Sequence, residues 1–299
     1  MKVLCFGSLN IDYTYKVDHF VQKGETLSSG GLQAFGGGKG LNQSAALAKA
    51  GCEVYHAGSI GKDGLFLLDM LKEAGAHTEY VRVMGDEKSG HAIIQNDISG
   101  DNCILLYGGA NQAITREQVD EVISHFDKGD YIVLQNEINE LSYIMAKAHK
   151  NGMVVILNPS PMNEKILELP LEDVDYFLLN EVEASQILGE KMRDGENWED
   201  IAEKLLERFP HANIVLTMGR EGSVFKNSKE TVRQPIYKVK AVDTTAAGDT
   251  FTGFFIGGIL SGISTKEAMD RAAKASAIAV SRQGAAPSIP VLSEVLAYK

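Results

Sequence analysis

Residues 243–253 read Asp-Thr-Thr-Ala-Ala-Gly-Asp-Thr-Phe-Thr-Gly, which sets three nearly side-chain-free residues between two acids at the start of an apolar stretch. Ala246, Ala247 and Gly248 let an anion approach the free backbone N–H groups of a first helical turn, where the helix dipole also favours negative charge. A developing phosphoryl charge fits that place. A carboxylate in the same turn repels phosphate, so Asp249 is better suited to taking a proton from a substrate than to holding the anion. An acid there can also do no more than complement the helix dipole, and this string alone leaves both readings open.

Other residues have types and spacing that suit chemistry. Residues 36–42 read Gly-Gly-Gly-Lys-Gly-Leu-Asn. Gly40 follows Lys39 where a phosphate loop needs Ser or Thr, and no G-x-G-x-x-G follows the first strand, so the cluster is neither a P-loop nor a dinucleotide fingerprint. Consecutive glycines such as Gly38 let the backbone approach a ligand, and Lys39 and Asn42 supply donors for hydroxyls or phosphate; a flexible joint is the alternative. Asn10 and Asp12, two apart on an extended segment, face one way and make an amide–carboxylate grip for vicinal hydroxyls, or an Asx turn. Glu137 is a strand-end acid of the same kind. Asn180 and Glu183, at i and i+3 where a strand enters a helix, suit Mg²⁺ held mostly through water, and Asn180 is also a favoured N-cap. Residues 219–222, after the strand 214–216, form a tight turn that can hold a nucleotide or be no more than a turn. Residues 282–288 end a helix with exposed carbonyls and a hydroxyl, which together with Asp243 can cage a monovalent cation or simply terminate the helix.

These residues need a scaffold that gathers them. Apolar runs at 1–6, 131–134, 153–157, 176–179 and 214–216 alternate with amphipathic stretches, and each run ends in polar residues. This predicts a parallel sheet with helices on both faces and a ligand crevice at the carboxyl ends of its strands. Residues 13–17, 26–35, 91–95 and 103–107 break the alternation and predict a small separate sheet, with a hairpin turning at 99–102. Such a sheet has a face to bury, over the crevice as a lid or against a second copy. Amphipathic helices are predicted at 115–128, 197–209 and 265–281.

Composition excludes several classes. The 299 residues carry a net charge of -11, with Lys and Arg 29 against Asp and Glu 40, which repels nucleic acid and anionic membrane. No apolar run approaches the roughly 18 residues needed to span a bilayer, and the start enters a strand pattern directly, so a soluble, cytoplasmic chain is expected. Cys5, Cys52 and Cys103 form no C-x-x-C pair and no cluster with histidine, which disfavours a disulfide scaffold or a zinc site.

With residues 36–42 at one end and 243–253 at the other, the chain resembles the ribokinase-like (PfkB) family of sugar kinases along nearly its whole length. The stretches 7–12, 158–161, 180–183 and 284–288 fit the same resemblance. It implies a three-layer α/β/α sandwich with a mostly parallel central sheet and a small β-sheet lid. The body would span 1–11, 41–89 and 109–299, and the lid 12–40 and 90–108. It implies ATP-dependent phosphorylation of a sugar hydroxyl, foremost the 5-hydroxyl of D-ribose, with Asp249 as general base and Ala246, Ala247 and Gly248 donating N–H groups to the phosphoryl. Asn10, Asp12, Gly38, Lys39, Asn42, Glu137 and Asp249 would hold the sugar. Asn180 and Glu183 would position hydrated Mg²⁺ and the phosphates, while Thr217, Gly219 and Gly222 would line the nucleotide site. An activating K⁺ would sit near Asp243, Thr245, Ala279, Arg282, Gly284 and Ser288, and homodimers would form through the lid. Three glycines precede Lys39 where the family's ribokinases usually show two, and Ala273 stands where some have an asparagine near the adenine. A kinase for deoxyribose, fructose or a nucleoside therefore stays open, as does a sugar-binding regulator without catalysis.

Overall fold

The computed structural model describes residues 1–190 and 197–298; residues 191–196 and 299, assigned above to the body, lie outside the described residues. The strands in chain order are β1 (Val3–Phe6), β2 (Asn10–Lys16), β3 (Gly31–Gly37), β4 (Val54–Gly61), β5 (His77–Met84), β6 (Gly90–Asn96) and β7 (Asn102–Tyr107). They continue with β8 (Tyr131–Gln135), β9 (Val154–Asn158), β10 (Tyr176–Asn180), β11 (Asn213–Thr217), β12 (Ser223–Lys226) and β13 (Thr231–Gln234). The helices are α1 (Lys39–Lys49), α2 (Leu65–Ala74), α3 (Arg116–Ile123), α4 (Leu141–Lys150) and α5 (Glu181–Leu188). After them come α6 (Trp198–Arg208), α7 (Ala247–Leu260), α8 (Thr265–Val280) and α9 (Leu292–Ala297).

The large sheet runs β13-β12-β11-β10-β9-β8-β1-β4-β5, parallel from β5 to β11 and antiparallel at β12 and β13. Successive side chains of a strand point to opposite faces, so Leu4 and Phe6 enter the core under α3 to α6, and Val3 and Cys5 the core under α1, α2 and α7 to α9. A sheet buried on both faces needs continuous apolar strands, which is why β1 and β8 to β11 were legible as runs. Their register brings the carboxyl ends to one edge: Phe6 lies beside Leu134, Gln135 beside Asn158, and Asn180 beside Thr217. No helix among the described residues is long and apolar enough to cross a membrane.

The second sheet runs β3-β2-β6-β7. Its β2 starts at Asn10, not at Tyr13, and β3 covers 31–37, not 26–35. Pairing of Asn10 with Gly37 and of Lys16 with Gly31 sets both limits, and Ser29 turns the chain by donating its hydroxyl to the Lys16 and Gly31 carbonyls. The hairpin of β6 and β7 forms where expected. Helix α3 stops at Ile123 instead of Lys128, because residues 126–130 close into a turn in which Asp130 accepts from the Asp127 N–H at 3.0 Å. Helices α6 and α8 match expectation, each started by a capping side chain, Asn197 and Ser264.

Candidate active site

The site is built where α7 meets α1. Gly253 and Gly257 lie on α7 against Ala46 of α1 and Ala50 at its C-terminal cap, and a Cβ at Gly257 would come within 2.8 Å of the Ala50 Cβ. That close approach sets the first turn of α7 over the start of α1. Asp249 is buried there at 5% exposure, with one carboxylate oxygen accepting from Asn42 Nδ2 at 3.1 Å and the other from Gln43 Nε2 at 2.9 Å. The helix begins at Ala246 with no side-chain cap, and a Cβ built on Gly248 would meet nothing within 4 Å. The turn is therefore open to an anion at Gly248, while the Ala247 N–H donates to the Thr244 carbonyl at 3.2 Å.

The glycine cluster shapes the opposite wall. Gly38 starts α1 at φ 93, a backbone region that disfavours side chains, and a Cβ at Gly40 would press on the backbone of Gly7 and Ser8. The tip of β1 thus sits under the first turn of α1. Ser8 Oγ and the Lys39 N–H both donate to Glu137, the latter at 2.8 Å, and the Gly40 N–H donates to Ser8 Oγ at 3.2 Å. Burial pulls the Lys39 ammonium down, but the charges of Asp249, Glu137 and Glu183 outweigh it and hold the group above its ordinary value.

Asn10 and Asp12 start β2 on one side of that strand. Asn111, buried at 1% exposure, donates to Asn10 Oδ1 at 2.7 Å and accepts from the Leu9 N–H at 3.0 Å, which fixes the Asn10 amide. Burial, and then the charge of Glu137, push the Asp12 carboxyl up to about 6.

Across the crevice Asn180 and Glu183 form a capping box at the start of α5. The Glu183 carboxylate accepts from the Asn180 N–H at 2.9 Å and from Asn180 Nδ2 at 3.0 Å, and Asn180 Oδ1 accepts from the Glu183 N–H at 2.9 Å. Burial raises the Glu183 carboxyl above its ordinary value. Lys39, Asn158, Ser160, Asn180, Glu183 and Asp249 line one small crevice at the strand ends. No group of three or more His, Cys, Asp or Glu among the described residues can hold a metal directly. Glu183, beside Asn180 at the edge of this crevice, fits a cation bound mostly through water and substrate phosphates, which is how Mg²⁺ is usually held. Thr217 also lines the crevice, whereas Gly219 and Gly222 lie beyond it, in the turn between β11 and β12.

Beside the anion turn, three segments converge. Asp243 accepts from the Thr245 N–H at 3.0 Å and hydroxyl at 2.5 Å, and from the Gly284 N–H at 3.0 Å. The Val242 and Asp243 N–H groups donate to the Val280 carbonyl, next to Ala279 at the end of α8. Ser288 donates its hydroxyl to the Ala285 carbonyl, and the Arg282 guanidinium is engaged by Glu294 at 2.7 Å. Burial opposes ionisation of Asp243, but the donors from Thr245 and Gly284 prevail and hold its carboxyl below the usual value. Arg282 can therefore offer a cation only its carbonyl.

Of the residues marked in the sequence, Lys39, Asn180, Glu183, Thr217, Thr245, Gly248 and Asp249 line this crevice, Asn42 and Glu137 are joined to it through Asp249 and the Lys39 N–H, and Gly219 and Gly222 lie outside it. The sequence reading gave no role to Gln43, Asn111 or Gln135, and included Ser8 and Asn158 only within the stretches 7–12 and 158–161. Their only signal was a polar residue at or beside a strand end or a glycine cluster.

A family model described as pfkB family carbohydrate kinase matches residues 1–292. The chain belongs to that family. It is a carbohydrate kinase, a phosphotransferase with an alcohol as acceptor. The kinase is 36% identical over 302 residues to a ribokinase of Staphylococcus aureus (strain COL), covering 98% of either chain. It is also similar to the crystal structure of a ribokinase from Cryptococcus neoformans var. grubii serotype A in complex with ADP. That match has a TM-score of 0.88 at 32% identity and covers 99% of both chains. The Arabidopsis thaliana ribokinase complexed with ribose and ATP gives a TM-score of 0.87 at 29% identity, over 99% of this chain and 98% of that one. These solved structures share the α/β body with its large, mostly parallel sheet and the second small sheet.

Proposed function

We propose that this kinase transfers the γ-phosphoryl group of ATP to the 5-hydroxyl of D-ribose, with Asp249 as general base. The observation that carries the reading is the carboxylate itself: buried, aimed by two amides, and next to the exposed Gly248 in the first turn of α7. A hydroxyl between that carboxylate and a phosphoryl seated on the N–H groups of Ala246, Ala247 and Gly248 has its base and its electrophile on opposite sides. Phosphoryl transfer depends mainly on such positioning and on charge stabilisation. Asn10, Asp12, Gly38, Lys39, Asn42 and Glu137 hold the sugar in this reading. Asn42 Oδ1 is a buried acceptor with no partner among the described residues, which suits a sugar hydroxyl. Similarity to a ribokinase complexed with ribose and ATP supports the choice of substrates.

Glu183 and Asn180 hold the hydrated Mg²⁺ that accompanies ATP, and Thr217, Gly219 and Gly222 lie toward the nucleotide. When bound, the Mg²⁺ screens the charge of the phosphates. Asp243, Thr245, Ala279, Arg282, Gly284 and Ser288 take K⁺, chiefly through backbone oxygens, and stiffen the loop ahead of α7. The small sheet, residues 12–40 and 90–108, acts as the lid. Its outer strand β7 is exposed along its whole length, and Leu105, Leu106 and Tyr107 there meet His91 and Ile93 in an apolar groove suited to a second copy of the chain.

The test is ADP release from Mg-ATP with D-ribose, 2-deoxyribose, fructose and a nucleoside in parallel, with and without K⁺. Ribose-dependent turnover that exceeds the other acceptors and rises with K⁺ is expected. An idle ribose beside another active sugar would overturn the substrate, and four idle acceptors would overturn the reading as a whole.

A further inference from the structure

We infer that Gln43, locked by Gln135 and Asn158, is the positioning residue that aims Asp249. The inference rests on Asp249 acting as the base. A main-chain carbonyl can only accept, so Asn158 Nδ2, which donates to the Leu178 carbonyl at 2.9 Å, turns Asn158 Oδ1 toward Gln43. Gln43 must then present its amide nitrogen, which donates to Asn158 Oδ1 at 3.1 Å and to Asp249 at 2.9 Å. Its oxygen is left facing Gln135, and Gln135 Nε2 donates to it at 2.7 Å. Each amide has one allowed orientation, set in turn from a backbone carbonyl of β10 through β9 and α1 to the acid on α7.

Gln43 and Gln135 are both fully buried, and neither lines the crevice. Burying two carboxamides costs free energy that apolar residues of the same shape would not, and a plain core position has no use for a defined amide orientation. The directed chain ends on the one buried carboxylate whose direction matters for proton transfer. Asn42 restrains the second oxygen, so the pair of amides stops the carboxylate from rotating and leaves its remaining lone pairs toward the crevice. Misplacing a reacting group by about 1 Å can cost about 10²-fold in rate.

The test compares Gln43→Met, Gln135→Met, the double variant and Asp249→Asn by steady-state kinetics, with circular dichroism to confirm the fold. Methionine keeps the length and bulk of glutamine without its amide. Gln43→Met is expected to lose about 10–100-fold in kcat with KM for ATP within about twofold, because only the base is misdirected. Gln135→Met is expected to lose about tenfold alone and less than about twofold further when Gln43 is already Met, since both act through one contact. Equal Gln135→Met effects in both backgrounds would overturn the inference. So would a folded Gln43→Met with kcat within twofold of wild type while Asp249→Asn is dead. If Asp249→Asn itself keeps turnover, the base assignment falls and takes this inference with it, a result distinct from the other two. Should Gln43→Met not fold, Gln135→Glu decides. Gln135 shares no hydrogen bond with Asp249; an ionised carboxylate there forces the Gln43 amide to turn its oxygen toward Asp249, whereas a protonated one keeps the wild-type orientation, so kcat is read across pH up to where the group is ionised. About tenfold or greater loss of kcat supports the inference, and wild-type kcat in a folded Gln135→Glu refutes it.

Discussion

Asp12→Asn is expected to make the protein more stable and a poorer kinase. In the folded chain, burial first and Glu137 second move the Asp12 carboxyl from 3.8 to about 6. Holding it ionised at pH 7 costs about 3 kcal/mol at 1.36 kcal/mol per pH unit, and screening around this partly exposed group reduces that to about 1–2 kcal/mol. Between about pH 4 and pH 6 the folded chain keeps a proton that the unfolded chain has released, so stability falls as pH rises through this window. Asparagine removes the cost above pH 6 and changes nothing below about pH 4, where both states are neutral. With an unfolding entropy of about 2.1 cal/mol/K per residue over a chain of this length, the gain at pH 7 is about 2–3 °C in Tm. Thermal melts of both proteins from pH 4 to pH 8 read it directly. If Asp12 also holds the sugar, KM for ribose rises about tenfold in the variant and loses its increase below pH 6. A Tm difference that does not change with pH, or a variant less stable at pH 7, would refute the reasoning.

Further outcomes follow from the same geometry. Glu183→Gln keeps an acceptor for the Asn180 N–H and removes the charge proposed to hold the hydrated cation, so Tm is expected to change little while the Mg²⁺ concentration for half-maximal rate rises several-fold; a magnesium titration of the rate checks this. Asp243→Asn weakens the junction of residues 243–245 with 284–288, and the rate increase on adding K⁺ is expected to vanish while the K⁺-free rate stays near wild type. Leu106→Asp puts a charge on the apolar face of β7, and sedimentation is expected to find the wild type as a dimer and the variant as a monomer.

The parts of the site that were legible in the sequence are those whose chemistry is local. Gly248 and Asp249 share a single helical turn, and Asn180 and Glu183 stand three residues apart, so their types and spacing already describe an anion hole with an acid and a capped helix start. The central strands were legible because a sheet buried on both faces must be apolar throughout, as in 131–134 and 214–216. What escaped is what depends on distant partners. Ser8 matters through Glu137, Asn111 through Asn10, and Gln43 through Asp249, each pair about a hundred or more residues apart. The limits of β2 and β3 come from their pairing and not from local propensity, so 26–30 looked like strand and Asn10 did not. The packing of α7 on α1 was written in Gly253 and Gly257 opposite Ala46 and Ala50, but small residues show nothing until their partners are known.

The most direct measurement is ADP release from Mg-ATP at saturating D-ribose by the wild type and Asp249→Asn side by side, with nucleotide affinity measured on both. The wild type is expected to turn over and to yield ribose 5-phosphate, while the variant binds nucleotide equally well and loses about 10²–10⁴-fold in kcat. A folded Asp249→Asn protein within tenfold of the wild-type rate would contradict the assignment of Asp249 as the base.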